Sequence, residues 1–191
     1  SIKKIVTVCG TSDFLHVEQA FPARTTNGTP HDTDGPIEEI IGEGQMLMVE
    51  LIDMMRTISP VHVMYTPGNH DRVLSIAMHN HGKAFYRKSE DVTFSDGYRN
   101  RNYYGYGKNA MCFLHGDIKK KQISNLGTLF GREFGMRPNS MVITGHKHFL
   151  KAEDRAGLQL IQMPTISGSG RWSDRQAYDS MRGIEGILLH A

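Results

Sequence analysis

The stretch YTPGNHDR, residues 65–72, follows the apolar run Val61–Met64 and precedes a segment with helical periodicity. A β-branched run that ends in Pro, Gly and Asn, with His and Asp immediately after, is typical of a strand whose loop carries polar groups at a sheet edge. The same arrangement recurs after three other apolar runs, at Gly10-Thr11-Ser12-Asp13, His115-Gly116-Asp117 and Gly145-His146-Lys147-His148.

These four segments predict one shared metal site. The carboxyl ends of parallel strands line a single crevice, so side chains from distant parts of the chain converge there. Imidazole, carboxylate and amide donors without thiolates suit Mn, Fe, Zn or Mg. In Gly145–His148, an extended backbone would point both imidazole rings to one side, whereas a turn at Gly145 would split them between two ions.

Alternating strand and helix patterns predict an α/β protein. Apolar residues at helical spacing indicate a helix from Ile37 to about Thr57. We place its four methionines mainly in the core, and 21–36 in a long loop. The other predicted helices are Arg72–Arg87 and Lys121–Phe134, and the predicted strands are Ile2–Cys9, Val61–Tyr65, Asp91–Phe94, a hairpin over Tyr103–Leu114, Met141–Thr144, a hairpin over Phe149–Met163, and Gly183–His190.

Composition narrows the class of protein. The 191 residues are 39% hydrophobic and 22% charged with a formal charge of +2, and the mean hydropathy is −0.40. These ordinary values argue against disorder, and no apolar run is long enough to span a membrane. We expect one domain over residues 1–191, cytoplasmic and with no membrane contact, in which Cys9 and Cys112 are buried free thiols.

The segments Gly68-Asn69-His70-Asp71, His115 and Gly145-His146-Lys147-His148, in this order, resemble the calcineurin-like metallophosphoesterase superfamily. The loop with Thr25-Thr26-Asn27-Gly28-Thr29-Pro30 also resembles a phage and prophage-associated branch of it. The resemblance implies a two-sheet sandwich flanked by helices (α/β/β/α) and hydrolysis of phosphate esters at two divalent ions, with manganese as the preferred metal and Fe, Zn or Mg as alternatives.

The resemblance also implies roles for individual residues. Asp13 matches the bridging aspartate, and His148 matches a ligand of one metal. Asn69, His115 and His146 match ligands of the other metal. His70 matches the catalytic histidine that protonates the leaving oxygen, with Asp71 or a nearby group holding its ring. Arg171 is a candidate substrate-binding residue.

The first motif of the superfamily, Asp-x-His, does not occur before Asn69. Either the opening strand lies upstream of Ser1, which the absent start Met favours, or Asp13 and His16 form a degenerate version of that motif. We expect His16 to support a ligand or to pack within its loop rather than to bind a metal itself. His79 and His81 are expected at a helix end, in contact with solvent.

The substrate class is less constrained by the sequence. The run 99–108 mixes cations with tyrosines, a combination that grips phosphates and stacks bases, although a tyrosine-rich hairpin explains it equally well. We expect a phosphate-ester substrate, preferably DNA or RNA. The alternative is a non-catalytic nucleic-acid-binding module on the same fold. The sequence does not indicate an oligomeric state.

Overall fold

A computed structural model describes residues 1–191 except 21, 32, 34, 136, 168–180 and 191. The chain forms two compact units, residues 1–102 and 103–191. The expectation of one domain over the whole chain stays a prediction.

Unit 1 contains a three-stranded parallel sheet in the order β1-β4-β5, a two-stranded hairpin and two helices. The parallel order follows from helical crossovers, because each strand is joined to the next by a segment long enough to return to the same end of the sheet. The elements are β1 (Ile5–Thr7), β2 (Gln19–Ala20), β3 (Ala23–Arg24), α1 (Ile37–Arg56), β4 (Val61–Val63), α2 (Arg72–Phe85) and β5 (Val92–Phe94).

The core of unit 1 lies between the sheet and the apolar face of α1. Met48 and Ile52 of α1 are fully buried with Val61 and Val63 of β4. The methionines of α1 divide between two environments, since Met54 is 66% exposed. Core filling therefore explains Met48 but not Met54.

His79 corrects an expectation from the sequence. It is 1% exposed rather than at a solvated helix end, because it falls on the face of α2 that packs against Tyr65 and Phe94. Its Nε2 lies 3.1 Å from the carbonyl oxygen of Ser95. Burial lowers the pKa of His79 below its ordinary value.

Acid should therefore destabilise the protein through His79. Its pKa is lowered from 6.5, so the unfolded chain binds this proton more readily than the folded protein does. The free energy of unfolding should fall as the pH drops below about 6.5, by at most about 1.4 kcal/mol per pH unit. His79→Phe should remove this contribution in urea unfolding measured at several pH values. An unchanged pH dependence in that variant would contradict the assignment.

Unit 2 is built on a five-stranded mixed sheet in the order β6-β7-β8-β10-β9. Strand β8 is parallel to both of its neighbours, and β9 is antiparallel to β10. Phe130 of α3 packs against Tyr103 and closes one side of the core. The elements are β6 (Asn102–Tyr106), β7 (Asn109–Phe113), α3 (Lys120–Phe134), β8 (Asn139–Thr144), β9 (Lys151–Arg155) and β10 (Leu158–Gln162).

The strand predicted over Gly183–His190 is wrong. Residues 181–190 form no helix or strand, and Ile184 is 81% exposed. Two hydrogen bonds hold the segment, from Gly183 N to Thr165 O at 3.1 Å and from Asn109 Nδ2 to His190 O at 2.5 Å. The apolar pattern was suitable for a strand, but a strand also needs a free sheet edge, and pattern alone does not supply one.

Most other sequence predictions are confirmed. The chain is a mixed α/β protein with two larger sheets and helices, and Cys9 and Cys112 are buried free thiols. Burial raises the pKa of Cys9 to about 12, so this thiol stays protonated at neutral pH. None of the described helices combines the length and apolar character that a membrane span requires.

Candidate metal centre

The parallel strands β1 and β4 bring two loops of unit 1 together. Thr7 pairs with Val63, so the loops that follow leave the sheet at the same edge. Asp13 lies in the first loop and His70 in the second. The backbone N–H of His70 donates to Asp13 Oδ1 at 2.8 Å. The sheet thus places a carboxylate against the Asn69-His70-Asp71 turn.

Gly68 is the point at which this turn comes closest to the Asp13 loop. A Cβ atom at position 68 would lie 2.0 Å from Asp13 Oδ1, 2.4 Å from Asp13 N and 2.4 Å from Asp71 Oδ1. All three distances are far shorter than van der Waals contact. Only glycine permits this approach.

The Asp71 carboxylate fastens the Asp13 loop to the start of α2. It is 1% exposed and accepts hydrogen bonds from Asp13 N and Leu15 N, both at 3.1 Å, and from Ser75 Oγ at 2.7 Å. Burial raises the pKa of the Asp71 carboxyl, against the lowering effect of these hydrogen bonds. The described contacts of Asp71 hold the loop, so its role toward the His70 ring stays a prediction.

Glu18 supplies the cap that α2 lacks locally. No side chain caps α2 from the N-cap position, and its first turn has no acidic residue. The Glu18 carboxylate accepts from Val73 N at 2.9 Å and from Leu74 N at 3.4 Å. A carboxylate is favoured there because the first N–H groups of a helix are unpaired and carry partial positive charge. Asp71 and Glu18 together tie both ends of segment 13–18 to α2.

Glu18→Gln should lower the free energy of unfolding by about 1 kcal/mol, because the amide loses the charge that favours the helix N-terminus. Urea unfolding measures the change. Glu50→Gln is the matched control, since Glu50 lies exposed on α1 and should change stability by less than about 0.5 kcal/mol. Equal losses in both variants would contradict the capping role.

Three side chains of unit 1 can hold an ion together. Asp13, His16 and His70 each offer one ligand atom, and these atoms all lie within 4.8 Å of one another. The rings of His16 and His70 are 4.2 Å apart, with His16 Nε2 at 3.0 Å from His70 Nδ1. A donor set of two imidazoles and a carboxylate suits a divalent transition metal.

Sequence reasoning missed the contact between His16 and His70. From the sequence we expect His16 to support a ligand or pack within its loop, with a degenerate motif of Asp13 and His16 as the alternative. The spacing Asp13-x-x-His16 was the one available signal, because a short turn can bring both side chains to the same sheet edge. Glu18 gave no local signal, since the amides that it caps are 55 residues away.

Unit 2 presents a second pair of donors at the ends of β7 and β8. Phe113 pairs with Ile143, and the pairing continues beyond the strands because Gly145 N donates to His115 O at 2.8 Å. His115 and His146 therefore leave the sheet side by side. His115 Nε2 lies 3.2 Å from His146 Nδ1, and the His115 side chain is 3% exposed.

The spacing of these two nitrogens fits coordination of one ion. With metal–nitrogen bonds of about 2.0–2.1 Å, nitrogens 3.2 Å apart subtend about 100° at a common ion. This angle lies between the octahedral and tetrahedral values. Imidazole is a normal ligand of zinc, iron and other transition metals. The pair can therefore supply two ligands of a divalent ion.

Backbone strain concentrates in the ligand loops. Among the described residues, six non-glycine residues have positive φ, and five of them lie in the loops of segments 12–16 and 146–148. A left-handed backbone costs on the order of 1 kcal/mol for most side chains and is common at functional sites. The values are 68° at Ser12, 65° at Asp13, 59° at His16, 69° at His146 and 63° at His148.

This backbone follows one of the two courses that the sequence left open for His146 and His148. An extended course would have pointed both rings to one side, but both residues are left-handed and Lys147 N donates to Gly145 O at 2.9 Å. The segment turns at Gly145, which is the alternative that separates the two rings.

The remaining predicted site residues are Asn69, His148 and Arg171. Asn69 is half-buried within the turn after Gly68, and His148 is exposed. Arg171 lies outside the described residues. The ligand roles of Asn69 and His148 and the substrate role of Arg171 stay predictions.

Comparisons with known proteins give only distant likenesses. No protein-family model matches the chain, and no curated protein matches it. Among solved structures, the chain is similar to a conserved uncharacterised protein from Streptococcus pneumoniae TIGR4, a predicted phosphoesterase, at 12% identity with a TM-score of 0.39, over 88% of this chain and 74% of that one. It is also similar to Entamoeba histolytica Vps29 complexed with zinc, at 16% identity and a TM-score of 0.35, over 62% of this chain and 52% of that one. A double mutant of the same Vps29 gives 15% identity and a TM-score of 0.38, over 62% and 65%.

Proposed function

We propose that the chain is a metal-dependent phosphoesterase. The observation that supports this most strongly is the 3.2 Å approach of His115 Nε2 to His146 Nδ1 beyond the ends of two parallel strands. Divalent ions held by such donors polarise a phosphoryl group and activate water for attack on phosphorus. The proposed ligands of two such ions are Asp13, Asn69, His115, His146 and His148.

His70 is the proposed proton donor to the leaving oxygen. Its Nδ1 faces His16 at 3.0 Å, which leaves Nε2 as the nitrogen directed to a substrate. Its backbone N–H is fixed by Asp13, so the turn that carries the ring cannot shift without breaking that bond. General acid catalysis requires a proton donor held within hydrogen-bond reach of the leaving oxygen.

Nucleic acid is the proposed substrate class, with manganese as the preferred ion. Support comes from the exposed cations Arg99 and Lys108 on either side of the tyrosines of β6, because cations and aromatic rings together hold single-stranded nucleic acid. Tyr103 is not proposed to stack on a base, because its ring stacks on Phe134 at 3.9 Å and packs against the core of unit 2. The relation to a phage-associated branch is proposed on the sequence resemblance alone.

Hydrolysis of bis-p-nitrophenyl phosphate by the full-length protein with Mn²⁺ tests the proposal. Activity should disappear with EDTA and return with Mn²⁺. His70→Asn should lower kcat by about 100-fold or more while the bound metal content stays the same, and His81→Asn on the outer part of α2 serves as the control. Loss of metal in His70→Asn would instead make His70 a ligand with Asp13 and His16. No hydrolysis in a metal-loaded protein that binds DNA would favour the binding module.

A further inference from the structure

The loop after β5 reaches the same sheet edge as the loops that carry Asp13 and His70. Val63 pairs with Phe94, and Ser95 N donates to Val63 O at 2.9 Å. Asn102 Nδ2 then donates to Tyr65 O at 2.9 Å, which fixes the far end of this loop to the strand end before Gly68. Segment 95–102 therefore lies at the same sheet edge as the loops that carry Asp13 and His70.

Arg72 is held at the junction of these loops. Its backbone N–H donates to Thr26 Oγ1 at 3.2 Å, and Thr26 N donates to the carbonyl oxygen of His70 at 3.1 Å. Its guanidinium Nη1 donates to Asn100 Oδ1 at 3.0 Å. Arg72 is half-buried, and its backbone and its charged group are each held by a hydrogen bond two residues after His70.

The guanidinium of Arg72 is oriented by a neutral group and not by an acid. In the described part of the chain, no carboxylate lies within ion-pair distance of Arg72. Two carboxylates at the start of α2 have other hydrogen-bond partners: Asp71 accepts from Asp13 N, Leu15 N and Ser75 Oγ, and Glu18 accepts from backbone N–H groups of α2. Among the described residues, no acid thus pairs with the positive charge of Arg72 beside the turn of His70.

This arrangement has the chemistry of an anion-binding group. A guanidinium carries five N–H donors in a planar fork, and the bond to Asn100 uses one of them. The donors that remain can bind two oxygens of one phosphate group in parallel. An amide partner fixes the plane of the fork without neutralising its charge, whereas a carboxylate would compete with an incoming phosphate.

We infer that Arg72, held in place by Asn100, binds non-bridging oxygens of the substrate phosphate. The inference rests on the proposed function, because it assigns Arg72 to the same site. It makes Arg72 a substrate-binding residue and Asn100 a positioning residue that acts through it.

Binding of inorganic phosphate to the Mn²⁺-loaded protein, measured by isothermal titration calorimetry, tests this inference without requiring turnover. Arg72→Gln should weaken phosphate binding by about 10- to 100-fold, the loss expected for charge-assisted hydrogen bonds. Arg72→Lys, which keeps the charge but not the fork, should lose less. Asn100→Ala should weaken binding only a few-fold. Arg87→Gln is the matched control, because Arg87 donates only to Ala84 O, beyond the other end of α2, and it should bind phosphate as the unsubstituted protein does.

Phosphate affinity within about two-fold of the unsubstituted protein in both Arg72 variants would overturn the inference and leave Arg72 as a tie between α2 and segment 95–102. The absence of any phosphate binding by the unsubstituted protein would also overturn it. Arg72-dependent phosphate binding without hydrolysis of any ester would refute the proposed function and leave the inference standing. If Arg72→Gln does not fold, Arg72→Lys and Asn100→Ala decide the result.

Discussion

His115→Ala should weaken divalent-metal binding by at least about 100-fold and abolish phosphoesterase activity. Loss of a hydrogen-bond partner behind a metal ligand already costs 10- to 100-fold in affinity, and loss of a ligand costs more. His115 Nε2 is 3.2 Å from His146 Nδ1, so removal of the imidazole leaves one nitrogen where two could chelate an ion. Calorimetric titration with Mn²⁺ and measurement of metal content after gel filtration check the result.

The controls for His115→Ala separate metal loss from unfolding. The His115 side chain is 3% exposed, so its removal creates a cavity in unit 2. His115→Gln fills most of that space, and thermal unfolding in EDTA reports the fold without metal. His81→Ala, on α2, should bind metal normally. If His115→Ala and His115→Gln retain the metal affinity of the unsubstituted protein, His115 is not a ligand. If the unsubstituted protein has no phosphoesterase activity and His115→Ala still binds nucleic acid, the result would favour the binding module.

Gly68→Ala should lose both stability and activity. The added Cβ would meet Asp13 Oδ1 at 2.0 Å, and the Asp13 and Asp71 atoms at 2.4 Å belong to a backbone and to a buried carboxylate that cannot move freely. Relief of the clash separates the two loops and breaks the bond from His70 N to Asp13 Oδ1. Overpacking alone costs about 1–3 kcal/mol, and each broken hydrogen bond in a buried place adds about 1 kcal/mol.

Urea unfolding compares Gly68→Ala with Gly42→Ala. Gly42 lies in the interior of α1, and a Cβ there has no atom within 4 Å. Gly42→Ala should therefore raise the free energy of unfolding by about 0.5–1 kcal/mol, the usual gain of alanine over glycine in a helix. Stability of Gly68→Ala equal to that of the unsubstituted protein would show that the loops do not need the close approach.

The helices and most strands could be predicted from periodicity. Apolar residues at helical spacing set α1 from Ile37 to Arg56, within a residue of the expected end at Thr57. The turn at Arg155-Ala156-Gly157 set the hairpin of β9 and β10. The strand prediction for Gly183–His190 was wrong, because the apolar pattern fits a strand but the sequence does not show whether a sheet edge is available for pairing. Local pattern determines an element only where its partner is also available.

The site was predicted less completely than the fold. Polar residues after apolar runs indicated Asp13, His70, His115 and His146 as candidates, and each of them follows a strand of a parallel pair. The supporting groups could not be found in this way. The bonds from Val73 N to Glu18 and from Arg72 to Asn100 join residues 55 and 28 positions apart, and such pairs depend on loop conformation rather than on any local spacing.

The sequence also did not indicate which groups the Asp71 carboxylate binds. Asp71 follows His70 directly, and the resemblance gives Asp71 or a nearby group the role of holding the His70 ring. In the structure the Asp71 carboxylate accepts bonds from Leu15 N and Ser75 Oγ, while the His70 Nδ1 atom contacts His16. Adjacent residues in a turn direct their side chains to different neighbours, so sequence adjacency does not identify the partner of the His70 ring.

The central claim is that the imidazoles at the ends of β7 and β8 bind a divalent ion. Anomalous X-ray diffraction from crystals of the protein grown with Mn²⁺, recorded at the manganese edge, tests it most directly. We expect an anomalous peak within bonding distance of both His115 Nε2 and His146 Nδ1. If the anomalous map shows no peak at these nitrogens, at a Mn²⁺ concentration at which the protein is active, His115 and His146 do not bind the ion together.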